Sequence, residues 1–206
     1  MSDNKKMILN RDDTVAVIID LQKKILPAMS NSKELEAQAA KLIEGLRVLN
    51  IPIIVTQQYT KGLGETNETI KKALCRDISE IGNIPIDESE CCNFSNFNYI
   101  EKLSFSAAGE PKFMEALKKS GKDTVLIFGI ESHVCVQQTA LDLLDEGYTV
   151  FIVEDCVSSR SVLDMERSFV RMTHAGASIT TYEAALFELL GGADREGFRQ
   201  ISKIVK

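Results

Sequence analysis

The chain has no apolar run near the ~20 residues that a membrane-spanning helix needs, and its first residues, Met1-Ser2-Asp3-Asn4-Lys5-Lys6, lack the apolar core of a secretion signal. No membrane partner and a cytoplasmic location are therefore expected. It also lacks any long block of one charge sign: 24 Lys and Arg are interspersed with 30 Asp and Glu, for a net charge of -6, which argues against nucleic acid and points to a small-molecule ligand. Histidine is scarce, with only His133 and His174. The five cysteines (75, 91, 92, 135 and 156) form no CxxC pair. A disulfide framework and a zinc knuckle are thereby set aside, no metal is expected, and the thiols should be reduced. The phosphate-cradling pattern GxxxxGK[ST] is missing, and Gly62-Leu63-Gly64-Glu65-Thr66-Asn67 lacks the third glycine of a dinucleotide loop. No cofactor is expected, and 62–67 reads as a flexible loop at a pocket edge.

What is present is a 206-residue chain, 44% hydrophobic, large enough for a substantial core and read as a single domain over 1–206. Apolar runs alternate with helical stripes. Strands are predicted at 14–19, 52–56, 99–103, 124–128, 149–154 and 178–180. Helices are predicted at 30–49 (stripe Leu35, Ala39, Leu42, Leu46, Leu49), 68–74, 111–119, 137–144, 162–174, 182–190 and 194–204. The polar stretch 57–97 is too long for a passive connection. Alternation of this kind implies right-handed crossovers and a three-layer α/β/α fold around a six-stranded parallel sheet of Rossmann-like order.

One stretch organises the rest. Gly129-Ile130-Glu131-Ser132-His133-Val134-Cys135-Val136 delivers a cysteine between the strand 124–128 and the helix 137–144. With Ser132 as N-cap, Cys135 falls in the first helical turn, where the dipole and unpaired N–H groups favour a thiolate. Taken alone, the stretch also fits a small buried hydrophobe at a tight connection. In doubly wound sheets, however, ligands bind beyond the carboxyl ends of the strands where the strand order reverses. That rim collects Asp20 after the first strand, Lys102 near the end of the third and Cys135 after the fourth. A lysine beside the thiol lowers its pKa, and a carboxylate can hold the lysine and accept or return a proton, which is coherent chemistry for a nucleophile.

The segments Val17-Ile18-Ile19-Asp20-Leu21-Gln22, Val55-Thr56-Gln57-Gln58-Tyr59, Glu101-Lys102-Leu103-Ser104-Phe105-Ser106 and 129–136 resemble the isochorismatase-like cysteine hydrolases, as do Thr139-Ala140, Gly147-Tyr148, Val153-Glu154-Asp155 and 182–190. The resemblance runs from about residue 12 to 200. Gln58-Tyr59-Thr60-Lys61-Gly62-Leu63-Gly64 and Val157-Ser158-Ser159-Arg160-Ser161 are similar to the isochorismatase domain-containing subgroup. The resemblance implies a catalytic triad of Asp20 as general base, Lys102 and nucleophilic Cys135. It also implies an oxyanion hole from backbone N–H groups at a cis peptide between Ile130 and Glu131, and relatives that are commonly homo-oligomeric. The metal-binding Asp-x-His pair and further His of the family's nicotinamidases have no counterpart here. Isochorismatase proper, which cleaves a vinyl ether, lacks this cysteine arrangement, so Cys135 favours acyl transfer.

The reading is a metal-independent cysteine hydrolase that cleaves a small amide or related acyl compound through a thioester. Gln22, Gln57, Tyr59, Phe105 and His133 are the candidate substrate-binding residues, His133 reading also as a packed histidine. Cys91 and Cys92 read as structural. The alternative is a catalytically silent binding or assembly protein of the same fold; a thiol redox sensor is disfavoured by the lack of a resolving cysteine. Apolar residues in the last two helices (Ala184, Ala185, Leu186, Leu189, Leu190, Phe198, Ile201, Ile204) suggest a dimer or larger assembly.

Overall fold

The computed structural model describes residues 7–77 and 99–206. Cys91, Cys92 and residues 78–97 of the stretch after the second strand lie outside the described residues. Six strands, β1 (Thr14–Ile19), β2 (Ile53–Gln58), β3 (Tyr99–Lys102), β4 (Thr124–Ile130), β5 (Thr149–Ser158) and β6 (Ser178–Thr180), form one parallel sheet in the order β3-β2-β1-β4-β5-β6. The order reverses between β1 and β4, which pair from Thr14↔Thr124 to Ile19↔Gly129. Every residue of β1 and β4 is buried, as expected for central strands covered on both faces by helices.

The helices are α1 (Ser32–Val48), α2 (Thr60–Leu63), α3 (Glu68–Cys75), α4 (Pro111–Ser120), α5 (Gln137–Asp145), α6 (Val162–Ala175), α7 (Tyr182–Leu190) and α8 (Phe198–Ile204). On one face α1 packs with α3, α7 and α8; on the other, α5 and α6 lie side by side against the sheet's second half, with α4 alongside β2. The predicted stripe of α1 is fully buried, from Leu35 to Leu49. Local signals set the ends. The Asn67 side chain accepts from Thr69 N at 2.8 Å to start α3, and the Ser161 and Thr181 hydroxyls cap α6 and α7.

Three sequence expectations are corrected. The last helix begins at Phe198 rather than at 194, because Gly197 takes a left-handed conformation (φ 95°) that breaks helical continuity. Strands β4 and β5 run past the predicted ends. A register shift between Ile127 and Gly129 lets Gly129 pair with Val157 and Ile130 with Ser158, so β5 continues past the expected end at Glu154 through Asp155 to Ser158. Finally, the apolar residues of α7 and α8 are used within the chain: Ala185, Leu186, Leu189, Leu190, Ile201 and Ile204 are buried against its own core. Exposed apolar side chains lie elsewhere, among them Leu103 (74%) and Phe105 (55%) after β3.

Gly129 decides how closely the two central strands end. It has φ 127°, and a Cβ there would lie 2.0 Å from the Ile19 carbonyl oxygen, a backbone atom that cannot swing aside. Only glycine allows β1 and β4 to meet at this point, one residue before Asp20. Gly129→Ala is therefore expected to lower the free energy of unfolding in urea by at least ~3 kcal/mol. The control Gly121→Ala, where φ is 66° and nothing lies within 4 Å, should cost only the left-handed penalty of roughly 1–2 kcal/mol. Equal losses would show that the close approach is not what the glycine provides.

Candidate active site

Asp20 follows β1 directly and turns the chain with φ 51°, a left-handed conformation that aspartate tolerates better than most residues. Its carboxylate is buried and fully engaged: Thr56 Oγ1 donates to Oδ1 at 2.7 Å, and Lys102 Nζ donates to Oδ2 at 2.7 Å. Lys102, the last residue of β3, has a side chain that is 0% exposed. Besides Asp20, its ammonium reaches Gln58 Oε1 at 2.7 Å, the Phe105 carbonyl at 3.0 Å and the Ser104 carbonyl at 3.3 Å. Three N–H donors face four acceptors, so at least one donor is shared. A lysine held in this way binds the ends of β1, β2 and β3 to the loop that follows.

Cys135 arrives from β4. After the cis peptide between Ile130 and Glu131, Ser132–Val136 forms one turn of π-helix that runs into α5. The Glu131 carbonyl accepts the N–H groups of Val134 and Val136, both at 3.1 Å. Ser132 is not the predicted N-cap; its hydroxyl hydrogen-bonds to the Ser168 hydroxyl of α6. A second hydroxyl joins the two halves of the site: Thr139 Oγ1 donates to the Cys135 carbonyl at 2.7 Å and accepts from Ala107 N at 2.8 Å. The turn carrying the cysteine and the loop gripping Lys102 are thereby fastened together.

Cys135 is 6% exposed, and both Asp20 and Lys102 act electrostatically on its thiol. Burial and then the Asp20 charge push its pKa up to about 12, although Lys102 acts in the opposite direction. This corrects the expectation that lysine and helix dipole would leave a thiolate at neutral pH. Asp20 and Lys102 already neutralise each other, so a thiolate would add an uncompensated buried charge. The resting site is a thiol beside an ion pair.

The structure sorts the other candidates. Gln22 is consumed by backbone: its Nε2 donates to the carbonyls of Gln58 (3.0 Å) and Gly64 (2.5 Å), and its Oε1 accepts from Gln58 N (2.7 Å). Gln57 donates to Thr66 Oγ1 at 2.9 Å. Both brace the 57–67 segment. Tyr59 and Phe105 stand largely exposed at the rim, and His133 Nδ1 lies 2.9 Å from Ser159 Oγ. Glu131, nearly buried, accepts from Arg160 through both its Nε (2.9 Å) and its backbone N–H (3.2 Å). Thr56, Gln58, Thr139 and Arg160 were not singled out from the sequence. Strand alternation offered a signal for two of them, because Thr56 and Gln58 share one face of β2 while Gln57 faces away. Among the described residues no three His, Cys, Asp or Glu side chains cluster as metal ligands.

A doubly wound sheet whose switch point holds a buried thiol, carboxylate and ammonium defines an α/β protein of the isochorismatase-like hydrolase fold. The chain belongs to the isochorismatase family, whose domain model matches residues 14–184. It is 33% identical over 94% of its length to isochorismatase domain-containing protein 1 of Salmo salar, of which it spans 61%. The solved MAR1 ribonuclease of Caenorhabditis elegans is 36% identical, with a TM-score of 0.82 over 96% of this chain and 92% of that one. The YcaC gene product of Escherichia coli, described as an octameric hydrolase of unknown specificity, shares the fold at 22% identity (TM-score 0.78, 91% of this chain and 84% of that one).

The geometry gives the thiol a pH signature. Alkylation of Cys135 by iodoacetamide should be slow at pH 7 and climb about tenfold per unit to pH 10 without levelling, since only the thiolate reacts. Asp20→Asn removes the anion that raises the thiol pKa and leaves Lys102 beside it, so its rate should start higher and level off within that range. A plateau near pH 8.5 in both proteins would show that neither burial nor Asp20 acts on the thiol.

Proposed function

We propose that the protein is a cysteine hydrolase that cleaves a small amide, or a related acyl compound, through a thioester on Cys135. The observation that carries this reading is that the switch point brings one buried thiol together with a carboxylate that is itself fixed by Thr56 and Lys102. As the sulfur attacks the carbonyl carbon, the thiol proton moves to Asp20, so the nucleophile is generated only when it is used. The carbonyl oxygen takes up the negative charge, held by N–H groups of the 131–135 turn other than that of Val134, which the Glu131 carbonyl occupies. Collapse breaks the C–N bond, and Asp20 passes its proton to the departing amine. Water then attacks the thioester while giving a proton to Asp20, and the sulfur leaves and takes that proton back. Lys102 holds Asp20 in place throughout. No step requires a metal.

The ribonuclease name of the Caenorhabditis elegans relative invites a phosphodiester reading. That chemistry ordinarily pairs an acid and a base across the phosphate and draws the polyanion with basic residues. This chain has two histidines, His133 and His174, and a net charge of -6. The alternative that stays in competition is a binding protein with the same site and no turnover. For assembly we carry a homo-oligomer, in which a second copy covers Leu103 and Phe105 and also closes the rim above Lys102.

Incubation with a panel of small amides, followed by intact-mass measurement of the rapidly quenched protein, should reveal one acyl adduct per chain. Cys135→Ala should lack the adduct and lose at least ~10³-fold in any hydrolysis found. Asp20→Asn should acylate poorly and turn over more slowly still. If no amide acylates a protein whose Cys135 iodoacetamide does reach, the binding-protein reading replaces this one. Light scattering at micromolar concentration should give a multiple of the 22.8 kDa chain mass, and Phe105→Glu should shift it toward the monomer. A wild-type monomer would end the assembly proposal.

A further inference from the structure

β2 ends on Gln58 and β3 on Lys102, and the two residues are partners in the parallel register. Partners on neighbouring strands turn their side chains to the same face, so an amide stands beside the ammonium. All four polar groups of Gln58 are engaged. Its backbone N–H donates to Gln22 Oε1 at 2.7 Å, and its carbonyl accepts from Gln22 Nε2 at 3.0 Å. Its side-chain Oε1 accepts from Lys102 Nζ at 2.7 Å, while Nε2 donates to the Leu103 carbonyl at 2.9 Å. Lys102 therefore has two side-chain partners at the same distance, the carboxylate of Asp20 and this neutral amide.

The position leaves little choice of residue. An ammonium only donates and a carbonyl only accepts, so the side chain between them must accept at one end and donate at the other. Glutamine does both at this length. A glutamate would set one carboxylate oxygen against the Leu103 carbonyl oxygen and put a second anion on the ammonium. Charge counts as much as reach. Asp20 and Lys102 are the charged groups that act on the Cys135 thiol, and they offset each other. Among the described residues, the other groups bonded to the pair are uncharged: Thr56, Gln58 and the carbonyls of Ser104 and Phe105.

We propose that Gln58 is a positioning residue, which holds Lys102 against Asp20 without contributing charge and so keeps the pair beside Cys135 balanced. It acts through Lys102 and not at the bond that is cleaved. The inference rests on the hydrolase reading only in taking Cys135 as the nucleophile that this pair serves.

Iodoacetamide alkylation of Cys135, followed by mass from pH 7 to 10, provides the test, each variant first being shown to unfold cooperatively on heating. Gln58→Glu gives the site a net negative charge and should slow alkylation about threefold or more at each pH, because one more anion further disfavours the thiolate, the only form that reacts. Gln58→Met removes both side-chain hydrogen bonds and adds no charge, so it should not slow the reaction. The contrast separates charge from packing, since a site that had merely loosened would admit the reagent faster in both variants. Asp20→Asn/Gln58→Glu moves the carboxylate from one partner of the ammonium to the other, and should alkylate about threefold or more slowly than Asp20→Asn alone. If Gln58→Glu does not fold, this second comparison decides. Gln58 has no such role if Gln58→Glu alkylates as fast as the wild type, if Gln58→Met slows as much as Gln58→Glu, or if the double variant matches Asp20→Asn. The amide panel judges the hydrolase reading separately. Acylation with an unshifted alkylation profile removes the role of Gln58 and keeps the hydrolase, whereas a shifted profile with no acyl adduct keeps the balanced pair in a binding protein.

Discussion

The ion pair between Lys102 and Asp20 is the constraint on which this structure turns. Both groups are withdrawn from water, a state that costs several kcal/mol per charge unless partners replace the lost hydration. The replacements come from everywhere around the switch point: Thr56 and Gln58 on β2, the carbonyls of Ser104 and Phe105, and each charged group for the other. Removing either partner would strand a charge at a cost of about 3–5 kcal/mol. The arrangement thus sets the position of the loop after β3 and the orientation of the carboxylate at once.

The protonated state of Cys135 follows from the same neutrality. A buried ion pair that is already balanced resists a third charge, which is why the thiol beside it keeps its proton. An exposed low-pKa thiolate would react with any electrophile or oxidant in reach. A thiol raised to about 12 is protected from such reactions at neutral pH. The outer pair, Glu131 with Arg160, repeats the motif of buried carboxylate and cation at the mouth of the site, but there the cation faces solvent.

Much of this was legible in the residues. Strands β1 and β6 and helix α7 have the predicted ends, because β-branched runs bounded by polar residues and an N-capping threonine are local signals. The convergence of Asp20, Lys102 and Cys135 followed from strand order alone. What could not be read was decided by distant partners. Ser132 looks like a cap but meets Ser168, 36 residues on. Gln22 looks like a pocket residue until the backbone of 58–64 folds over it. The sign of the thiol shift depends on burial, which spacing does not encode. Glu154-Asp155 resembles a strand end because nothing local announces that Asp155 will accept the Tyr182 N–H of α7 at 2.9 Å.

The partners of the central ion pair stand 82 residues apart in the chain, and the cysteine they serve comes later still. As the polypeptide leaves the ribosome, Asp20 emerges long before its counter-charge, and burying it alone is prohibitive. The end of the first strand therefore has to wait in water until the third strand has been made. Until β4 has followed, the chain can form that ion pair without Cys135 beside it. The thiol can join the ion pair only after the fourth strand and the turn that follows it have been made.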